Sequence, residues 1–240
     1  LSALLDIDRD TLYKRTTRTY SQYEEIKKKI ERAEVEKFAA WVEEKKLTGI
    51  FRVVEDYKRV YPYGSLLSTV LGFTGTDGYG LYGLEAEYES VLKGTPGRIV
   101  TAQNGWGYEL DTALKFEKTV DATNGYSLVL TIDQAVQQYV EKYLDDAVKT
   151  NKCGNRGCAI VMNVKTGAVL AMATKGDFDL NSPMTVADPD TQAKIALLSG
   201  DEKSEAVRAA QYKQWTNKAI TEYYEPGSVF KMFTVSMGLE

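Results

Sequence analysis

The chain has 240 residues, of which 43% are apolar and 27% charged, with 30 basic and 34 acidic side chains and no histidine. This composition is typical of a globular protein of one large or two ordinary domains and excludes a disordered chain. A formal net charge of −4 gives no electrostatic reason to expect nucleic acid or an anionic membrane surface as a partner. No stretch approaches about eighteen consecutive apolar residues and no basic n-region opens the chain, so we expect it, as given, to be soluble.

Residues 1–60 are predicted to be mostly helical. Residues 21–24, Ser-Gln-Tyr-Glu, form a capping-box pattern that predicts the start of a helix. Apolar side chains then recur at helical spacing at Tyr23, Ile26, Ile30 and Ala33, and in a second register at Val35, Phe38, Ala39 and Val42. Charges of alternating sign in this stretch indicate a solvated helix face.

Residues 61–125 change character. A turn at 61–64 leads to a short apolar element at 66–71, and a glycine-dense tract follows from residue 72 to residue 107. The tract lacks the spacing of a phosphate-binding loop, so we interpret it as tight turns in a small irregular domain, with one short helix at 83–92. Short strands are predicted within 97–121, and a turn cluster at 121–125 marks the boundary between a domain over 1–118 and a domain over 119–240.

The clearest secondary structure follows that boundary. Residues 127–131 predict a strand, and Asp133 predicts the N-cap of an amphipathic helix. The apolar face of that helix consists of Val136, Tyr139, Val140, Tyr143, Leu144, Ala147 and Val148. Two apolar strands at 157–163 and 168–174, joined by a turn at 164–167, predict a β-hairpin, and residues 183–210 are polar and helix-prone.

Two cysteines, Cys153 and Cys158, flank a short glycine-containing loop. Two thiolates in a chain without histidine cannot complete a zinc site, so no metal is expected, and no motif predicts a cofactor. A short-loop disulfide and a pair of free thiols both remain open as interpretations.

A candidate nucleophile lies near the end of the chain, at Ser228. A serine hydroxyl attacks a carbonyl only when an adjacent base takes its proton. Because the chain has no histidine, a lysine is the natural base, and Lys231 lies three positions away, on the same face of a helix. The structural alternative is that Ser228 only caps a helix and Lys231 points to solvent, since a bare S-x-x-K occurs often by chance.

The residues around Ser228 favour the start of a buried helix. Pro226 and Gly227 suit a tight turn before it, and the apolar run that follows comprises Val229, Phe230, Met232, Phe233 and Val235. At a helix N-terminus, unpaired N–H groups and the positive end of the helix dipole favour developing negative charge. This environment suits an acyl-transfer intermediate.

Several ordered motifs resemble the monofunctional, class B penicillin-binding proteins of the division and sporulation branch. They are G-x-S-L-x-L-T-I-D-x-x-x-Q at 125–137, V-M-N-V-K-T-G-A-V-L-A-M at 161–172, F-D-L-N-S-P at 178–183, N-K-A at 217–219 and Y-E-P-G-S-V-F-K at 224–231. Upstream, R-V-Y-P, L-G-F-T-G and G-L-Y-G-L-E, between residues 59 and 85, resemble the non-catalytic pedestal domain of that family.

The resemblance implies an α+β protein with an irregular pedestal-type domain followed by the N-terminal part of a transpeptidase domain. It implies a peptidoglycan D,D-transpeptidase in which Ser228 attacks the D-Ala-D-Ala carbonyl of a stem peptide, Lys231 activates Ser228, and β-lactams acylate the same serine. The implied partners are stem peptides, β-lactams and other cell-wall or division proteins. The implied location is the extracytoplasmic face of the bacterial cell membrane, reached through a membrane anchor that is not in this chain.

The chain also departs from the family pattern. The family's Ser-x-Asn and catalytic Lys-Thr-Gly motifs lie well downstream of the nucleophile, so we expect a fragment that by itself neither transpeptidates nor binds penicillin stably. The Lys-Thr-Gly at 165–167 precedes Ser228 and falls in a hairpin turn, so we expect no catalytic role for it. Two alternatives remain: a penicillin sensor or β-lactamase relative, against which the pedestal-like residues argue, and a non-catalytic interaction module of a cell-wall synthesis complex.

Overall fold

The computed structural model describes residues 1–21, 23–54, 56–101, 117–154 and 157–240. They form two compact units, one of residues 1–60 with 75–79 and one of residues 61–74 with 80–240. The described residues combine helices with two-stranded antiparallel sheets, which confirms the predicted α+β class. The division at residue 118 stays a prediction.

The described residues of the first unit form three helices: α1 (Ser2–Leu5), α2 (Arg9–Thr16) and α3 (Arg32–Glu44). The side chains of Leu5, Leu12 and Phe38 are buried. Phe38 packs edge-on against Phe51, with ring centroids 5.4 Å apart. The second predicted helical register is therefore confirmed at Phe38, with Val35 and Val42 partly buried, whereas Ala39 is exposed.

The helix predicted to start at residues 21–24 is wrong. The chain is irregular before Arg32, where Glu31 and Glu34 form the observed capping box. Lys29 has a left-handed φ of 54°, which interrupts a helix, and the Lys27 amine donates to the Leu5 carbonyl at 2.8 Å. Tertiary contacts of this kind override the local helical pattern. Residue 22 of the predicted capping box lies outside the described residues.

The second unit opens with three short helices: α4 (Ser68–Leu71), α5 (Gly83–Glu87) and α6 (Glu89–Leu92). The predicted single helix at 83–92 is two helices, separated at Tyr88. Gly72 shows why this tract needs glycine: its φ is +70°, and a Cβ there would lie 1.8 Å from the Tyr82 carbonyl oxygen. The short strands predicted within 97–121 are confirmed as β1 (Arg98–Thr101) and β2 (Glu117–Val120), which pair antiparallel. Residues 102–116 lie outside the described ones.

Helix α7 (Gln134–Thr150) is confirmed, with the Asp133 carboxylate accepting from the Val136 N–H at 3.0 Å. The strand predicted at 127–131 is wrong: these residues are irregular. A strand needs a hydrogen-bonded neighbour, and the contact at the end of this segment is from the Thr131 hydroxyl to the Val169 carbonyl at 2.7 Å. Val129 is 92% exposed, so its apolar side chain packs on nothing in the described chain.

The predicted hairpin is confirmed as β3 (Cys158–Met162) and β4 (Val169–Thr174), with Cys158 opposite Thr174. A register shift lies between Val161 and Met162. The elements that follow are α8 (Pro189–Ala196), α9 (Gly200–Trp215), α10 (Lys218–Thr221), a 3-10 turn (Gly227–Phe230) and α11 (Lys231–Leu239).

An aromatic core holds the second unit. It consists of the buried side chains of Phe73, Phe178, Leu180 and Trp215. The Trp215 ring centroid lies 5.1 Å from that of Phe73, and the indole N–H donates to the Pro183 carbonyl at 2.9 Å. The polar end of Trp215 is therefore satisfied while its ring fills the core.

Three residues of the predicted α7 face are exposed: Tyr139, Tyr143 and Ala147. Tyr139 and Tyr143 are 63% and 62% exposed and stack on each other, with centroids 6.4 Å apart. The fully buried residue of α7 is a polar one, Gln137, which faces β4. A tyrosine can keep its phenol in water, so helical spacing alone overestimates its burial.

Candidate functional site

Ser228 and Lys231 lie at the junction of two helical segments. Ser228 belongs to the 3-10 turn and Lys231 is the first residue of α11. Gly227 has a φ of +57°, a left-handed value that glycine adopts readily, and it turns the chain into this segment. Ser228 and Lys231 are three positions apart across this junction, a spacing that favours one shared side of a helical segment.

The surroundings of this pair are open. Among the described residues, neither Ser228 Oγ nor Lys231 Nζ has a hydrogen-bond partner in the structure, and both side chains are exposed. The expectation of a buried helix is therefore wrong within the described chain. The apolar residues of the segment are all more than half exposed: Val229, Phe230, Met232, Phe233, Val235, Met237 and Leu239. The apolar pattern of α11 predicts that it packs against another element, but none of its residues is buried in the described chain.

The chain leading to Ser228 is attached to the hairpin at Asn217 and Lys218. Both residues are buried, and the Asn217 side chain accepts from the Ala219 N–H at 3.1 Å as the N-cap of α10. The Asn217 amide nitrogen lies 3.3 Å from the Met172 sulfur on β4. The Lys218 amine donates to the Lys175 carbonyl just beyond β4. Asn217 and Lys218 belong to the N-K-A motif, but the periodicity of apolar residues does not predict that these two polar side chains are buried.

Burial changes the acid–base character of Lys218. It lowers the pKa of the Lys218 amine, and the nearby charges of Lys213 and Lys175 lower it further, while Glu222 and Asp177 oppose the shift. Lys218 and Lys213 also line an open cavity of about 180 Å³ with Lys175 and Asp177. This cluster was not anticipated from the sequence.

A second polar group connects α7 with β4. The Gln137 amide donates to the Met172 carbonyl at 3.0 Å and accepts from the Met172 N–H at 2.8 Å. The Gln137 side chain thus makes the two backbone hydrogen bonds that a neighbouring strand would make with Met172. Glu141, one turn later, accepts from Gln137 and from the Leu67 N–H, both at 2.8 Å. Desolvation by burial raises the pKa of Glu141, although both hydrogen bonds oppose the rise.

The Lys-Thr-Gly at 165–167 lies in the hairpin turn, as predicted. The Asn163 side chain accepts from the Lys165 N–H at 3.0 Å, and Gly167 has a left-handed φ of 74°. Lys165 and Thr166 are exposed at this turn. Their placement is explained by hairpin geometry, and the lack of a catalytic role stays a prediction.

Both cysteines are free thiols and exposed, and both line an open cavity of about 840 Å³ with residues 221–224. Among the residues that the structure describes, no group of three or more His, Cys, Asp or Glu side chains is placed to hold a metal ion. Within the same ranges, no helix has the length and apolar character needed to cross a bilayer.

Two family models match the chain. Residues 1–130 match a penicillin-binding protein dimerisation domain, and residues 157–240 match a penicillin-binding protein transpeptidase domain. The first match covers more than half of the 240 residues. The second match contains Lys218, Ser228 and Lys231.

Curated relatives align over most of the chain. Stage V sporulation protein D of Bacillus subtilis is 34% identical over 242 residues, which cover 100% of this chain and 33% of the relative. Peptidoglycan D,D-transpeptidase FtsI of Escherichia coli is 31% identical over 202 residues, which cover 84% of this chain and 29% of the relative. The chain therefore spans about a third of the length of these relatives.

Solved structures share the fold. A peptidoglycan synthetase from Bifidobacterium adolescentis has a TM-score of 0.58 and 28% identity, covering 100% of this chain and 38% of its own. Penicillin-binding protein 3 of Mycobacterium tuberculosis, complexed with aztreonam, has a TM-score of 0.52 and 31% identity over 76% of this chain and 31% of its own. The penicillin-binding protein PBP2 of Helicobacter pylori, in a complex with MreC, has a TM-score of 0.64 at 23% identity, covering 96% and 42%.

Proposed function

The chain belongs to the class B penicillin-binding proteins, and from that premise we propose that it is the pedestal and first part of the catalytic domain of a peptidoglycan D,D-transpeptidase. The observation that carries the proposal is the Ser228–Lys231 pair, which lies within the transpeptidase match with its members three positions apart at the turn that opens α11. The full-length enzyme would act on the outer face of the membrane, where stem peptides are cross-linked.

In the proposed reaction, Ser228 Oγ bonds to the carbonyl carbon of the D-Ala-D-Ala peptide bond of a stem peptide. The hydroxyl proton passes to the Lys231 amine, which returns it to the nitrogen of the terminal D-Ala as the peptide bond breaks and D-Ala leaves. An amine of a second stem peptide then displaces Ser228 and forms the cross-link. A β-lactam would follow the first half of this path, because its ring carbonyl acylates the same oxygen.

The first turn of α11 supports a nucleophile at this position. Helix N-termini carry N–H groups without intrahelical partners, and these favour negative charge that develops on an oxygen nearby. An acyl-transfer site also needs donors directed at the oxyanion and walls that exclude water, and loss of one such donor costs about 10²- to 10³-fold in rate. Because residues 222–240 are exposed, we propose that the 240-residue chain alone is inactive.

The test is peptide mapping of a fluorescent penicillin adduct on the full-length protein that contains these residues. We expect one adduct, on the peptide that carries Ser228, and complete loss of labelling in S228A. The S204A variant is a matched control, since Ser204 is an exposed serine on α9. An adduct at another residue would refute the assignment of Ser228. A folded full-length protein without any adduct would favour the alternative, a non-catalytic interaction module of a cell-wall synthesis complex.

A further inference from the structure

The last buried side chain before the nucleophile belongs to Lys218. Every residue from Ile220 to Glu240 is exposed, so no later side chain fixes the segment that carries Ser228 to the rest of the described chain. We propose that Lys218, with Asn217, is a positioning residue that sets where Ser228 lies relative to the β3–β4 hairpin. This inference rests on the proposed role of Ser228 as the nucleophile.

The contacts of Lys218 define one position for α10. Its amine donates to the Lys175 carbonyl, which lies immediately after β4, and α10 contacts both strands of the hairpin. Gly176 leaves the room that this amine needs, because a Cβ on Gly176 would lie 3.2 Å from Lys218 Nζ. A long side chain bonded at a fixed strand end holds the helix that precedes Ser228.

Asn217 provides the second attachment. Its amide nitrogen contacts the Met172 sulfur at 3.3 Å, and the backbone of Met172 is itself held at both polar atoms by Gln137 of α7. The Thr221 hydroxyl donates back to the Asn217 carbonyl at 2.8 Å and closes α10. The position of α10 is therefore set by α7 and β4 together.

The buried ammonium is an inefficient way to stabilise the fold. Removing a charge from water is costly, and well-packed apolar side chains often replace buried charges without loss of stability. What Lys218 contributes is therefore its directed hydrogen bond, which an apolar side chain cannot make. A displacement of about 1 Å at a nucleophile can cost about 100-fold in rate, so such a bond has a catalytic consequence.

The test compares K218M, K218R and K213M in the full-length transpeptidase. Lys213 is the matched control, because it is an exposed lysine on the same cavity. We expect K218M to lower the second-order rate constant for acylation by a fluorescent penicillin by about 10- to 100-fold. K218R, which keeps a donor, is expected to recover most of the rate, and K213M is expected to match the wild type.

Thermal unfolding separates positioning from folding. We expect the melting temperature of K218M to stay within a few degrees of the wild type, so that the loss of rate is not a loss of folded protein. A wild-type acylation rate in K218M would overturn the inference, as would equal losses in K218M and K218R. If K218M does not fold, K218L, which likewise lacks a donor, replaces it with the same expected loss, and a wild-type rate in K218L would overturn the inference. Labelling at a residue other than Ser228 refutes the proposed function instead.

Discussion

Residues 134–221 and residues 222–240 both contain apolar helical residues. They differ in whether large side chains of the region are buried. In the first region, α7, the β3–β4 hairpin and α9 bury Gln137, Phe178 and Trp215. In the second region every side chain is exposed, including those of Phe230 and Phe233. An apolar pattern indicates a face that favours burial. That face is buried only where another part of the described chain packs against it.

The residues that stabilise the fold and the candidate catalytic residues also lie in different regions. The packed region holds the aromatic core and the polar contacts that join α7 to β4, whereas the exposed region holds the candidate nucleophile and base. Lys218 lies at the border of the two regions and bonds the second to the first. Catalytic groups commonly lie on segments that a rigid scaffold positions, and the proposed roles of Ser228 and Lys231 would fit that division.

The largest effect on folding is expected in the packed region, at Trp215. W215A removes a ring that contacts Phe73 and Tyr82, with centroids 5.1 and 4.9 Å away, and it removes one of the two side-chain donors to the Pro183 carbonyl, the other being Gln214. We expect the free energy of unfolding of the second unit to fall by about 3–5 kcal/mol, measured by urea denaturation of the 240-residue chain.

F233A is the matched control from the exposed region. Phe233 is 61% exposed, so its truncation is expected to change the free energy of unfolding by no more than about 0.5 kcal/mol. Equal losses in W215A and F233A would show that α11 is packed in solution and would remove the contrast between the two regions.

A smaller, pH-dependent effect is expected at Glu141. Because its pKa is raised by burial, the folded state keeps this proton to a higher pH than the unfolded state does. Above about pH 4.3, the ordinary pKa of a glutamate, the unfolded chain therefore binds fewer protons, and stability falls as pH rises toward the raised pKa.

E141Q isolates this contribution, since glutamine keeps an oxygen for the Leu67 N–H but does not titrate. We expect the melting temperature of the wild type minus that of E141Q to decrease between pH 4 and pH 7. The nearby charges of Asp145, Lys175 and Asp177 are present in both proteins and cancel in this difference. A constant or increasing difference would contradict the assigned environment of Glu141.

The elements that the sequence predicts well are those stabilised by their own residues. Asp133 caps α7 through a contact three positions away, and the β3–β4 hairpin joins strands that are adjacent in sequence. The family motifs added Ser228 and Lys231 as candidates, although their catalytic roles stay predictions. In each case the relevant partners lie within a few residues or carry a recognisable motif.

The features that the sequence could not predict depend on distant partners. Gln137 is buried because the backbone of Met172, 35 residues later, occupies both ends of its amide. Lys218 is buried because a carbonyl 43 residues earlier accepts from its amine. Conversely, residues 127–131 have strand-like composition but no neighbouring strand in the described chain. The periodicity of apolar residues shows which face of an element favours burial. It does not show which other part of the chain will pack against that face.

The most direct measurement is intact-mass spectrometry of the 240-residue chain and of the full-length protein after incubation with a fluorescent penicillin. Near-ultraviolet circular dichroism of the Trp215 core verifies that the shorter chain is folded. We predict one adduct at Ser228 of the full-length protein and none on the 240-residue chain, because residues 222–240 lack the packed surroundings that acyl transfer requires. Stoichiometric labelling of Ser228 in the 240-residue chain would contradict this account.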